Sequence, residues 1–319
     1  MLAVHADWSI NPAKRWMCIA DRTSTGWLLG CPEPVGPPET LFARLRRRAG
    51  GGAIAFGIDC PLGIPRAYAA LRPEPDFPAF LRGLGDTPGF FQVAATLAEA
   101  SATAPFYPAR GLSGMTRLAH AQAIGLATAA DLSRACDRAT AERPAGAPVF
   151  WTLGANQSGK AAISAWRHLL LPALHGQAPP RLWPFEGPFR SLIQPGRIAV
   201  AETYPAEAMR HLGLKPAGSK RRQADRAAYA PGIILAMQRL AADAKPALRD
   251  ALAAGMGDTP AGEDQFDCVL GVLAVIGVLT GGRTDEAPGD PAIQRWEGWV
   301  LGQTALPRQQ QPVRPAGQP

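Results

Sequence analysis

The chain opens with short β-prone runs. Residues 2–7 (LAVHAD), 14–20 (KRWMCIA) and 26–30 (GWLLG) are separated by Asn11–Pro12 and by D-R-T-S-T-G. Both links have turn chemistry, so a meander of three antiparallel strands is expected. Residues 39–49 (ETLFARLRRRA) change to helical spacing, with Leu41, Leu45 and Ala49 on one face, and Gly50 to Gly52 stop the helix. Residues 53–58 (AIAFGI) are almost continuously apolar, as in a strand buried on both faces. Asp59 ends that run, and the CPLGIP after it cannot extend a strand. From about 66 to 195 helical segments (92–101, 115–141, 160–174) alternate with Pro-rich loops, and FWTLG at 150–154 reads as one further strand. Residues 197–202 (RIAVAE) repeat the pattern of an apolar strand ending in an acid. A helix (YPAEAMRHLG) and a basic helical stretch (GSKRRQADR) follow. Next come a helical zone at 231–255 broken near Pro246, an apolar helix at 263–280, and a closing segment at 297–302.

This element order predicts an α/β fold: a ribonuclease-H-like mixed sheet, three antiparallel strands then parallel strands, flanked by helices and carrying a largely helical insertion. One domain is expected over 1–304, with the insertion at about 66–195 and a disordered tail at 305–319, where no apolar period remains. The composition agrees. Of 319 residues 47% are hydrophobic and 18% charged, which excludes global disorder. The 34 Gly and 32 Pro follow no Gly-X-Y period, so they mark loops rather than collagen. A net charge of +7 favours an anionic partner such as nucleic acid or another phosphate-bearing substrate. Five widely spaced cysteines with no C-x-x-C argue against a disulfide framework or a zinc knuckle. The N-terminus lacks a basic segment before an apolar core, and the longest apolar run, Val269 to Leu279, is too short to span a bilayer. A cytoplasmic protein without membrane contact is the expectation.

Candidate chemistry lies in the acids. Asp7 ends the first strand, Asp59 the first buried strand and Glu202 the next, while Asp264 and Asp267 stand in the first turn of the last apolar helix. Ligands of α/β sheets bind beyond the carboxyl ends of strands, where these acids would converge. Asp267, Gly271 and Ala274 share one helix face, so the acidic end continues a small-residue stripe that allows close approach to the sheet. Each acid alone has an ordinary explanation: Asp7 as a turn cap, Asp264 and Asp267 as helix N-terminal charges, Glu202 as the partner of an arginine. Together they favour a shared site. Carboxylates packed together repel unless a cation lies between them, and Mg²⁺ or Mn²⁺ suits an all-oxygen set.

The segments HADWS (5–9), GIDCPLGIP (57–65), FWTLGANQSGKAAISAWRHLLLPAL (150–174), LWPFEG (182–187), AETYPAEAMRHLG (201–213), GSKRRQADR (218–226), GEDQFDCVLGVLA (262–274) and EGWVLGQ (297–303) run in order over most of the chain. With these the sequence resembles the domain-of-unknown-function family numbered 429, which is regarded as ribonuclease-H-like nucleases. The resemblance implies a ribonuclease-H-like fold with an acidic metal site. Carried over residue by residue, the catalytic and metal-binding set is Asp7, Asp59, Glu202 and Asp267, with Asp264 in reserve.

A competing motif reads G-A-N-Q-S-G-K-A over Gly154 to Ala161, matching the glycines and lysine of a phosphate loop. Ala161 stands where the magnesium-binding hydroxyl belongs, so a milder role follows: Gly159 and Lys160 as phosphate contacts at a helix start, beside an equally simple reading as a glycine turn with an exposed lysine. Lys220 with Arg221 and Arg222, and the run Arg46 to Arg48, are further phosphate candidates, although solvated helix faces are the commoner origin of such runs. The expected activity is metal-dependent phosphodiester hydrolysis. The alternatives are a nucleotide-binding phosphotransferase or ATPase on a related fold, and a non-catalytic module that binds nucleic acid or protein.

Overall fold

The structure, a computed structural model, describes residues 1–87, 89–111, 114–154, 158–214 and 218–308. It opens with the meander. β1 (Leu2–Asp7) pairs antiparallel with β2 (Trp16–Arg22), which pairs antiparallel with β3 (Trp27–Leu29) and β4 (Glu33–Pro34). α1 (Pro38–Ala49) ends on Gly50 at φ 55°, a left-handed cap that glycine adopts without a Cβ penalty. β5 (Ile54–Ile58) then lies parallel to β1.

The segment that follows contains α2 (Arg66–Ala69), α3 (Phe77–Gly83), α4 (Arg117–Ala123) and α5 (Ser158–Ala165), which runs through a π turn at Trp166–Leu170 into α6 (Leu171–Leu174). β6 (Arg181–Leu182) and β7 (Ile198–Glu202) return to the sheet. After them come α7 (Pro205–His211), α8 (Gln223–Ala228), α9 (Ala230–Arg239), β8 (Ala242–Ala244), α10 (Pro246–Ala253) and α11 (Ala261–Leu279). The strands form one mixed sheet in the order β6-β7-β5-β1-β2-β3-β8, with β4 on β2. The α/β class and the mixed sheet agree with the sequence reading.

The period-2 alternation of the central strands divides large from small side chains. Val4, Ala6, Ile54, Phe56, Ile58 and Val200 face α1 and the insertion. Ala3, Ala55, Ala199 and Ala201 face α11, α7 and α9. Small residues let α11 settle close to the sheet. A Cβ on Gly271 would lie 2.2 Å from the His5 ring, and one on Gly57 would lie 2.8 Å from Val275 Cγ2. The small-residue stripe expected from Gly271 is therefore a contact surface, with the fully buried His5 ring occupying the space.

Elsewhere the structure corrects the expected elements. No helix forms over 92–101, and 115–141 keeps only α4 followed by short 3-10 turns. These alanine-rich runs have helical propensity but no continuous large apolar face to dock them. FWTLG is not a strand: Trp151 makes a single bridge to Tyr107, and Gly154 turns the chain at φ 101°. The zone 231–255 hides β8, whose A-D-A sequence has no β-branched or aromatic residue to announce it. Of the expected tail, Pro307 bridges Thr140 and the Arg308 N–H donates to Ala139 O; residues 309–319 lie outside the described ones. Among the described residues no helix is long and apolar enough to cross a membrane.

Gly271→Ala should lower stability by about 1–3 kcal/mol, because overpacking must displace the His5 ring or α11. Urea unfolding of Gly271→Ala, His5→Ala and the double variant checks this: the double variant should be less destabilised than the two single losses added.

Candidate active site

β7, β5 and β1 are parallel neighbours, and their register sets Glu202 and Ala6 beside Ile58. The Asp59 N–H donates to Ala6 O at 3.0 Å. Asp7, Asp59 and Glu202 therefore stand in a row at the carboxyl edge of the sheet. They line a cleft of about 470 Å³ together with Asp264 from the first turn of α11. The insertion supplies another wall, through Arg134 to Ala147 and Ser158 to Ala161.

Two of the expected acids carry built-in cations. Both Glu202 oxygens are taken by Arg134, with Nη1 to Oε2 at 2.6 Å and Nη2 to Oε1 at 2.8 Å, and the Leu62 N–H donates to Oε2 at 2.8 Å. Arg134 is 1% exposed and also grips Asp137, through Nε at 3.0 Å and Nη2 at 2.8 Å. Burial alone would lower the Arg134 pKa, but Asp137 and Glu202 outweigh it and hold the pKa well above its ordinary value. Glu202, expected as a metal ligand, is held in the structure as an arginine-clamped carboxylate. Asp267 is clamped likewise: Lys220 Nζ lies 2.5 and 2.6 Å from its two oxygens. Burial raises the Asp267 pKa and Lys220 opposes the rise. Lys220, expected on a phosphate, is committed to this pair.

Asp7 and Asp59 have no such partner. Among the described residues neither makes an ion pair or a side-chain hydrogen bond. Burial, then Asp59, Asp267 and Asp264, push the Asp7 carboxyl well up. Burial and Asp267, with Lys220 opposing and Glu202 adding, push Asp59 up to about 8. Asp264 is raised to about 6, first by burial, and its Oδ2 is buried without a hydrogen-bond partner.

Among the described residues, one set of three metal-capable side chains has ligand atoms within 4.8 Å of one another: Cys136, Asp137 and Glu202. Both of its carboxylates are already held by the Arg134 guanidinium, and burial keeps the Cys136 thiol well above its usual pKa. A cation already occupies the electrostatic role there, so this cluster is a structural joint. Cys60 and Cys268 are likewise buried with raised thiol pKa values, which leaves them unreactive.

Of the phosphate candidates, Lys160 lines the cleft. Gly159 does not serve as expected. Its N–H donates to Trp151 O at 3.2 Å, and a Cβ there would lie 2.8 Å from the same oxygen, so this glycine permits a close crossing of backbones. Residues 155–157 of the phosphate-loop motif lie outside the described residues. Sequence reasoning missed Arg134, Asp137 and Lys14: Arg134 caps and Asp137 ends one 3-10 turn of the insertion without helix or strand periodicity, and Lys14 ends the 3-10 turn Pro12–Lys14. Comparison of the chain with family models, curated proteins and solved structures returns no match.

Replacing Arg134 with Met should cost about 3–5 kcal/mol in urea unfolding, because Glu202 and Asp137 would remain buried without their cation. The apo protein should also lose stability as pH rises from about 4 to 8. In that window folded Asp59, with its pKa at about 8, keeps a proton that the unfolded chain releases. Asp59→Asn should flatten this slope and raise the apo melting temperature at pH 8 by roughly 2–6 °C, as read by calorimetry.

Proposed function

We propose that this chain is a metal-dependent phosphodiester hydrolase with a ribonuclease-H-like core, acting on a nucleic acid or another phosphate ester. The observation that carries the reading is the contrast among the four acids. Glu202 and Asp267 have their own cations, while Asp7 and Asp59 stand side by side at parallel strand ends with none among the described residues. A three-stranded antiparallel meander continued by parallel β5 and β7 follows the order of a ribonuclease-H-like core, which is fold-level analogy and adds weight only to the architecture. The motif resemblance to family 429 of the domains of unknown function points the same way.

The residues present fit a hard divalent cation. Mg²⁺ commonly uses one or two carboxylates and fills its remaining positions with water and substrate phosphate. Asp7 and Asp59 would supply the carboxylates, with the unpartnered Asp264 Oδ2 at the rim. Mg²⁺ or Mn²⁺ held there would supply Lewis acidity toward a phosphoryl oxygen and toward water. The protein's own groups orient the ester. Lys160 and the exposed Lys14 line the cleft without ion-pair partners among the described residues and would attract the phosphate toward the acids. Arg134 and Lys220 hold Glu202 and Asp267 in place, which leaves Asp7 and Asp59 as the strand-end carboxyls without a cation of their own among the described residues.

Millimolar Mn²⁺ should raise the wild-type melting temperature, and Asp59→Asn should remove most of that rise. Hydrolysis of labelled RNA and DNA oligonucleotides should fall roughly a hundredfold in Asp7→Asn and Asp59→Asn. Equal Mn²⁺ responses in wild type and Asp59→Asn would refute the shared metal site.

A further inference from the structure

The shape and charge of the cleft restrict what it can hold. Its volume of about 470 Å³ falls within the range of about 300–1,000 Å³ that accommodates one small molecule. The sheet edge, the insertion and the segment around Val300 bound it on different sides. The interior of a duplex would need an open groove and a succession of phosphate contacts. The two basic runs that could form such a track are largely used within the molecule. Arg46 donates to Ala178 O and Arg48 pairs with Asp21. Lys220 pairs with Asp267 and Arg222 with Asp225.

The cleft does offer the parts of one nucleotide's recognition. Asp7 and Asp59 line it, and Lys14 and Lys160 are lining cations that make no ion pair among the described residues. Ile10 is 46% exposed and gives it an apolar lip. These parts are braced against one another. Arg15 donates to Ser9 O at 2.6 Å and Ile10 O at 2.9 Å, and reaches Ser164 Oγ at 2.8 Å. Trp8 Nε1 donates to the same Oγ at 3.3 Å. Ser164 stands one helical turn after Lys160, so the loop following Asp7 and the start of α5 are held at a fixed spacing.

We propose that the cleft binds a single nucleotide unit, either a free nucleotide or the end of a single strand, and excludes the interior of a duplex. This rests on the phosphoester reading above and names its substrate class. Isothermal titration calorimetry with Mn²⁺ present tests it, using adenosine 5′-monophosphate, a short single-stranded oligonucleotide and a covalently closed circular duplex. The mononucleotide should bind, and Lys160→Ala and Lys14→Ala should each weaken it about tenfold. The oligonucleotide binding comparably identifies strand ends as a source, and its failure to bind restricts the site to free nucleotides. The closed duplex should give no saturable heat. Duplex binding comparable to that of the mononucleotide, or mononucleotide binding unchanged in both lysine variants, would overturn the proposal. Absent mononucleotide binding with an intact Mn²⁺ response overturns this assignment alone. Mononucleotide binding without any Mn²⁺ response supports it and refutes the metal site instead.

Discussion

Three parallel strands ending side by side bring three carboxylates to one edge of a sheet, and a helix start adds two more. Like charges at low dielectric repel strongly, so such an edge is stable only if its charge is answered. This molecule answers it unevenly. A buried guanidinium neutralises Glu202 and a lysine ammonium neutralises Asp267, both at hydrogen-bonding distance. Asp7 and Asp59 receive only the partial and more distant field of Lys220, and their carboxyls are forced upward in pKa. The local electrostatic deficit therefore lies at two adjacent strand ends facing a cleft, with Asp264 beside them.

The layers of the fold serve that arrangement. Large side chains on one face of the sheet anchor the insertion, and the insertion carries Arg134 and Lys160 to the acidic edge. Alanines and glycines on the other face admit α11 closely enough for Gly271 to touch the His5 ring, which brings Asp264 and Asp267 to the same edge. Arg66 and the Ala135 N–H both bind the fully buried Glu297, tying the insertion and the C-terminal segment to one carboxylate. A buried ionic joint of this kind fixes geometry more than it adds stability.

What was legible in the sequence is what local pattern encodes. The strands ending in Asp7, Asp59 and Glu202 are apolar runs with abrupt polar ends, and α11 is a long apolar run with acids in its first turn. Their convergence follows from parallel pairing, which topology rules make accessible from element order. The partners of those acids were not legible. Arg134 reaches Glu202 across 68 residues of sequence from a 3-10 turn, and Lys220 reaches Asp267 across 47 residues. No periodicity marks either contact: an arginine partner for Glu202 is a reading the sequence allows, but nothing in it points to Arg134, or to Asp267 as the partner of Lys220. The two readings of Gly159 stayed equal for a similar reason, since a glycine before a lysine looks the same whether it admits a phosphate or a neighbouring backbone.

The central assertion is that charge is left open at Asp7 and Asp59 and closed at Glu202. Electron paramagnetic resonance titration of Mn²⁺ into wild type, Asp7→Asn, Asp59→Asn and Glu202→Gln, each checked for folding by circular dichroism, measures this directly. Bound Mn²⁺ is expected in wild type and Glu202→Gln and should be lost in both aspartate variants. Equal binding by all four proteins, or loss confined to Glu202→Gln, would contradict it.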